Sequence, residues 1–356
     1  MKYGLPYKGS KNKLTERIVS LLPKRTHLID LFCGGCAVSH AALLRNKYEH
    51  IHINDINWMC PTLFIDALNG KYQNETRWIS REDFFRQKDT DPYVAVVWSF
   101  GNNLRTYLYS KEIEPLKKAI HYAIFFRDYS LGKDLGYDLS FIEPISDIQR
   151  RYAAVKRYFS QFGHFRQQSF EGGAESSRLR STETYSRKNQ TGECGKMEHK
   201  SHLSKKKNTN AQANFNQEKD ATALHRLQYR ERQLSLPRNS GGAISNITSS
   251  VLDYQQVTIP DDSVIYCDIP YEGTDGYLEK DSGGFDYERF YDWCEHQTQP
   301  VFISSYQMPD DRFDCIEEFS HRSTLSATAN NLVTERIYVP KHQKERGNRA
   351  IQLSLF

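Results

Sequence analysis

The chain has no run of about eighteen apolar residues, the stretch a helix needs to cross a bilayer. Its first residues lack the charged, then apolar, then small order of a secretory signal. The expectation is a soluble cytoplasmic protein with no membrane partner. Seven cysteines, an odd number without framework spacing, argue against a disulfide scaffold and for a reducing compartment. Strong charge of one sign is missing as well, since a net +4 is modest for a chain that binds nucleic acid. Its distribution carries more information. Between Arg166 and Arg238 there are 15 Lys and Arg against 8 Asp and Glu, an excess of +7 that leaves the remainder at −3. Attraction for phosphate is therefore concentrated in the middle of the chain. With 356 residues, the protein can bury a full core and a second lobe.

Against these absences stand two motifs at the ends of apolar runs. Val264-Ile-Tyr-Cys-Asp-Ile-Pro-Tyr271 reads as a buried strand ending in a carboxylate and an aromatic ring. Pro270 biases Ile269 toward an extended backbone and so aims the Ile269 carbonyl. The Asp268 carboxylate and that carbonyl form two adjacent acceptors with the Tyr271 ring beside them, a site suited to a planar ring bearing an exocyclic amine. His27-Leu-Ile-Asp-Leu-Phe-Cys-Gly-Gly-Cys36 reads as a strand entering a glycine turn, and Ala37–Leu44 as the helix after it. A strand, glycine turn and helix bring backbone close to a nucleotide-like ligand, with Gly34 and Gly35 leaving no Cβ in the way. Ile51-His-Ile-Asn-Asp55 reads as a second strand ending in an acid placed for a ribose diol, with Ile56 beside an adenine ring.

Together these residues resemble the Dam-like class of DNA adenine-N6 methyltransferases, which use S-adenosylmethionine. Asp30-Leu-Phe-Cys-Gly-Gly35, including Phe32, resembles their cofactor motif, and Asn54-Asp-Ile-Asn57 their ribose-binding segment. Asp268-Ile-Pro-Tyr271 resembles the catalytic tetrad Asp-Pro-Pro-Tyr, with Ile269 replacing the first proline. Leu5-Pro-Tyr-Lys-Gly-Ser-Lys-Asn-Lys-Leu14 is similar to the N-terminal motif near the cofactor carboxylate, where Tyr7 and Lys11 match best. Cys36 stands where the cofactor turn commonly has a third Gly or Ala. The resemblance implies double-stranded DNA as substrate, an adenine flipped out beside Asp268, no metal and a monomeric enzyme of bacterial or phage origin. A cognate restriction enzyme is the partner that such an enzyme would have.

The expected fold is α/β: a Rossmann-like methyltransferase sheet with helices on both faces and an inserted, mainly helical target-recognition region. The catalytic domain takes residues 1–98 and 251–340, the target-recognition region 99–250, and a tail 341–356. Residues 168–222 form a basic insert, and Glu171–Asp220 holds only nine apolar residues in fifty, too few to offset the entropy of ordering. That insert is expected to be disordered without a partner. Asp91–Phe100 contains a strand-like run, whereas Glu112–Arg127, Ile145–Phe162 and Phe285–Glu295 have helical periodicity. Pro300–Ser305 reads as the next parallel strand and Asn331–Val339 as part of a terminal hairpin. Asn102, Asn103, Arg105, Tyr107 and Tyr109 form a polar, aromatic cluster suited to bases or phosphates, with Asn103 and Arg105 as candidate substrate-binding residues. Tyr277, on a glycine-containing loop after the tetrad, is a candidate wall for an extruded base.

Other readings compete. Cys33-Gly-Gly-Cys36 has the spacing of a redox pair, but that reading explains neither Asp55 nor the tetrad. A zinc site would need a second ligand pair that the spacing does not supply. Cys60-Pro61 matches the nucleophile of cytosine methylation only in isolation, because it stands at a helix start. The tetrad would equally suit an RNA adenine or a protein amide. A catalytically silent DNA-binding protein with the methyltransferase fold is the alternative outside enzymology.

Overall fold

The computed structural model of the protein describes residues 3–7, 10–12, 14–160, 246–271, 284–322 and 332–343. Its centre is a seven-stranded sheet of β1 (His27–Asp30), β2 (His50–Asn54), β3 (Ile247–Ser250), β4 (Ser263–Asp268), β5 (Val301–Ser305), β6 (Phe313–Arg322) and β7 (Leu332–Pro340). The spatial order is β3-β2-β1-β4-β5-β7-β6. The first five strands are parallel, whereas β7 runs antiparallel between β5 and β6.

The inner parallel strands β1, β4 and β5 are apolar on both sides because helices cover both faces. Leu28, Ile51, Val264 and Tyr266 face one cluster, which takes in residues of α1 (Thr15–Leu21), α2 (Ala37–Leu44), α3 (Met59–Leu68) and α5 (Pro92–Val97). Ile29, Ile265, Cys267, Val301 and Ile303 face the other, where Phe290, Tyr291 and Cys294 of α9 (Tyr287–His296) pack. Each large side chain so buried contributes about 1.5–3 kcal/mol. The architecture is the expected α/β, Rossmann-like one.

Between α5 and β3 come α6 (Glu114–Phe126), α7 (Ser130–Asp134) and α8 (Ile148–Ser160), preceded by α4 (Arg81–Gln87) on the other side of α5. Helices α6 and α8 join Leu139 and Ile142 in a third, separate cluster that includes Ile120, Ala123, Ile124, Val155 and Phe159. Arg151 is buried on the inner side of α8, where its guanidinium donates to the carbonyls of Ile124 and Ile145 at 2.6 Å.

Two expectations need correcting. Asp91–Phe100 is not a strand: Asp91 caps α5 by accepting from the Tyr93 and Val94 amides, and Pro92 opens the helix. An N-cap followed by proline favours a helix start, and this overrides the β-branched composition that suggested a strand. The interval 99–250 does not separate from the sheet at either end. Tyr107, Leu108 and Tyr109 belong to the first cluster, and Ile247-Thr-Ser-Ser250 is the edge strand β3. That strand is too polar to stand out in sequence because an edge strand is only half covered. The insert 168–222, Tyr277 and the tail beyond residue 343 lie outside the described residues. Among the described residues, no helix is long and apolar enough to cross a membrane.

Candidate active site

Strand β1 has β2 on one side and β4 on the other, so the chain leaves it toward opposite edges of the sheet. Such a switch point opens a crevice beyond the carboxyl ends of the strands. The register pairs Asp30 with both Ile53 and Tyr266, which brings the turn after β1, the acid after β2 and Asp268 at the end of β4 to that crevice.

The turn is built by backbone and by the N-terminal segment. The Cys33 amide donates to the Asn54 carbonyl at 2.9 Å, and the Leu5 amide to the Gly35 carbonyl at 2.7 Å. A Cβ at Gly34 would lie 3.2 Å from the Tyr7 ring, and one at Gly35 2.8 Å from the Tyr7 Cβ. The space these glycines open is thus taken by Tyr7, rather than left for a ligand on that side. Cys36 adopts a left-handed conformation with φ 56° and is fully buried, its thiol turned toward the Gly34 carbonyl at 3.7 Å. Asp30 is sealed beneath the turn, with Oδ2 accepting from the Ser39 hydroxyl. Burial raises the Asp30 carboxyl to about 7. Phe32 packs at 5.5–5.7 Å centroid separation against Tyr254, Phe285 and Phe290 in the second cluster. Asp30 and Phe32 therefore support the turn from within.

Asp55 accepts from the Gly34 amide at 2.8 Å and from the Asn57 amide at 2.9 Å, one bond to each oxygen. Burial pushes its carboxyl up, while these two bonds hold it down. Neighbouring Asn54 joins three elements: its amide donates to the Leu31 and Leu252 carbonyls, and its oxygen accepts from the Leu252 amide and the Ser250 hydroxyl. This bracing sets Val251 and Leu252 beside the segment that starts at Asp55. Ile56, Val251 and Leu252 are all exposed, Ile56 at 60%. A carboxylate with unused lone pairs next to an exposed apolar edge fits a ribose and an adenine, and the edge residues after β3 were not legible in sequence.

The tetrad lies across the crevice. Asp268 ends β4 opposite Ser304, Ile269 is buried in the second cluster, and the Pro270 carbonyl accepts from the Tyr287 hydroxyl at 3.1 Å. Among the described residues nothing bonds to the Ile269 carbonyl. Lys11 does not sit apart from this group: its ammonium is 2.8 Å from Asp268 Oδ1 and 3.1 Å from Glu335 Oε1. The Tyr271 hydroxyl donates to Glu335 Oε1 and stands 3.4 Å from Asp268 Oδ1. Both donors approach Oδ1, so Oδ2 has no partner among the described residues. The Lys11 ammonium also lies 4.7 Å over the Tyr271 ring, and the Tyr306 ring is 4.2 Å from it at 46°. The aromatic wall beside Asp268 is therefore two tyrosines.

Burial raises the Asp268 carboxyl to about 6, Lys11 opposing that rise and Glu335 adding to it. Burial works against the charge on Lys11, yet the two carboxylates hold it above the ordinary lysine range. Glu335 was missed in sequence. Its one signal is a lone acid in β7 in phase with buried Ile337.

The candidate DNA-contacting cluster comes apart in the structure. Tyr107 is buried, donating to the Ile79 carbonyl at 2.7 Å, and Tyr109 stacks on Trp78. Asn102 donates to the Val96 carbonyl, and Asn103 staples its own loop by accepting from the Arg105 and Thr106 amides. These polar groups satisfy the bend, and Arg105 is the exposed member of the cluster.

A search of curated proteins gave no match. Residues 7–128 match the model of the D12 class N6 adenine-specific DNA methyltransferases, a span that includes Tyr7, Lys11, the glycine turn and Asp55 and stops before the tetrad. Over residues 7–128 the chain carries a D12 class N6 adenine-specific DNA methyltransferase domain, consistent with a Dam-like adenine methyltransferase.

Proposed function

We propose that the protein is an S-adenosylmethionine-dependent, site-specific methyltransferase acting on N6 of an adenine flipped out of double-stranded DNA. The observation that carries this reading is Asp268: one oxygen anchored by Lys11, the other without a partner among the described residues, at the switch point beside the glycine turn. Asp55 would hold the cofactor ribose and Ile56, Val251 and Leu252 its adenine. When bound there, S-adenosylmethionine supplies an electrophilic methyl on a sulfonium.

Chemistry on the base needs it outside the duplex stack. Asp268 Oδ2 and the Ile269 carbonyl would accept the two N6–H bonds, directing the nitrogen lone pair away from the ring system and toward the methyl. The Asp268 carboxylate would stabilise the positive charge that develops on N6 during methyl transfer. The extra proton on N6 then passes to Asp268, an acceptor suited to the step because it titrates at about 6. Tyr271 and Tyr306 provide aromatic surface for the base.

Residues 99–246, including the α6–α8 cluster, would serve target recognition. Support comes from α8, whose exposed side carries Gln149, Arg150, Lys156 and Arg157 and no acid. Three cations on one helical face fit a phosphate backbone. Arg105 would contribute from its loop.

Nucleoside mass spectrometry tests the reading. Unmethylated DNA and methyl-labelled cofactor should yield labelled N6-methyladenine with the wild type and none with Asp268→Ala, which keeps its cofactor affinity. Asp55→Ala should instead weaken cofactor binding first. A wild type that binds cofactor but labels no DNA base would overturn the proposal.

A further inference from the structure

We infer that Glu335 is a positioning residue for the methyl transfer: it holds the Lys11 ammonium and the Tyr271 hydroxyl so that Asp268 keeps one oxygen for the amine. The inference rests on the function proposed above and assigns a role to a residue outside the tetrad and outside the matched domain.

Glu335 is 4% exposed. An acid so buried is costly unless paired, and packing alone would be met as well by an apolar side chain. Its partners are all polar. The Ser304 hydroxyl donates to Oε1 at 2.9 Å and ties the carboxylate to β5, next to the strand that ends in Asp268. Lys11 and Tyr271 contact the same oxygen. Two carboxylates thus share one ammonium and one hydroxyl.

The sharing decides what Asp268 presents. A tyrosine hydroxyl has one proton to donate, and the closer acceptor is Glu335 rather than Asp268 at 3.4 Å. With Glu335 neutralised, both donors would turn fully to Asp268, cancel more of its charge and lower its power to stabilise a cation on N6. The groups facing Asp268 are Lys11 from the N-terminal segment, Asp30 from β1, Tyr266 and Tyr271 from β4 and its end, Tyr306 after β5, and Glu335 from β7. Of these, Glu335 is a negative group that raises the Asp268 titration. Its loss therefore shifts Asp268 protonation to lower pH.

Glu335→Gln in the full chain should lower kcat by about tenfold or more, with KM for DNA and cofactor Kd within about threefold of wild type. Its acid limb should move to lower pH, whereas Glu335→Asp, which keeps the charge, should leave the limb near its wild-type position. A lower plateau with a limb extended to lower pH is not what loosened packing produces. Wild-type kcat and limb in Glu335→Gln would overturn the inference. So would a fall in kcat that comes with equally weakened cofactor binding, a lower Tm and an unmoved limb. Should the wild type methylate no DNA, the proposed function fails first. The hold of Glu335 on Asp268 is then read without catalysis, from the carboxyl titration of 13C-labelled aspartate. A downward shift in Glu335→Gln sustains that hold, and no shift overturns it.

Discussion

Replacing Lys11 by methionine keeps an unbranched side chain of most of its length and removes its charge, leaving Asp268 and Glu335 facing one another without their shared cation. Lys11 is 9% exposed, and the two carboxylates have side-chain exposures of 22% and 5%. Breaking such a buried pair by deleting one partner costs about 3–5 kcal/mol, because a charge is left uncompensated. The sign with pH follows from the carboxylates. Without the ammonium, the folded-state pKa of Asp268, already raised by burial, moves further above the unfolded value, so the folded variant binds a proton that the unfolded chain releases. Its deficit is therefore fully expressed above the raised pKa and is relieved as pH falls through it. The slope approaches about 1.4 kcal/mol per pH unit for one such group. Urea unfolding of both proteins at pH 8 and pH 5.5 measures this. A deficit of about 3–5 kcal/mol at pH 8 that shrinks by more than about 1 kcal/mol at pH 5.5 is expected. An equal deficit at both pH values, or one below about 1 kcal/mol at pH 8, would refute the view that Lys11 neutralises a buried carboxylate pair.

Two further outcomes follow from the same geometry. Methylation should fall as pH drops through about 6, since a protonated Asp268 cannot accept from the amine, and a kcat profile flat down to pH 5 would contradict that. Gly4→Ala should destabilise the protein by about 2–4 kcal/mol, combining a left-handed backbone penalty with overpacking. Gly4 has φ +62°, and the added Cβ would meet the Gly35 carbonyl and sit 2.7 Å from the Ala37 nitrogen. Thermal unfolding with a wild-type Tm would show that the N-terminal segment does not seat on the turn as described.

The pattern of elements was legible in sequence wherever burial is continuous. β1, β4 and β5 are short apolar runs bounded by polar residues, and α6, α8 and α9 carry helical periodicity. Asp91–Phe100 misled because apolar β-branched residues suit a buried helix as well as a strand, and only the Asp91 cap and Pro92 tell them apart. β3 was hidden by its polarity as an edge strand.

Of the site, sequence alone determined the acids at strand ends and the glycine turn, since these depend on local spacing: a strand, a bend that needs glycine, a carboxylate just past the last ladder bond. Tertiary structure decided which side chains meet. Lys11 reaches Asp268 across 257 positions because the N-terminal segment folds back over the turn, and Glu335 joins them because β7 is inserted beside β5. Conversely, Tyr107, Tyr109 and Asn103 look like a ligand surface in sequence and are spent on the core and on a loop. Hydrogen-bond partners and shared charges are properties of three-dimensional proximity, and no periodicity in the chain encodes them.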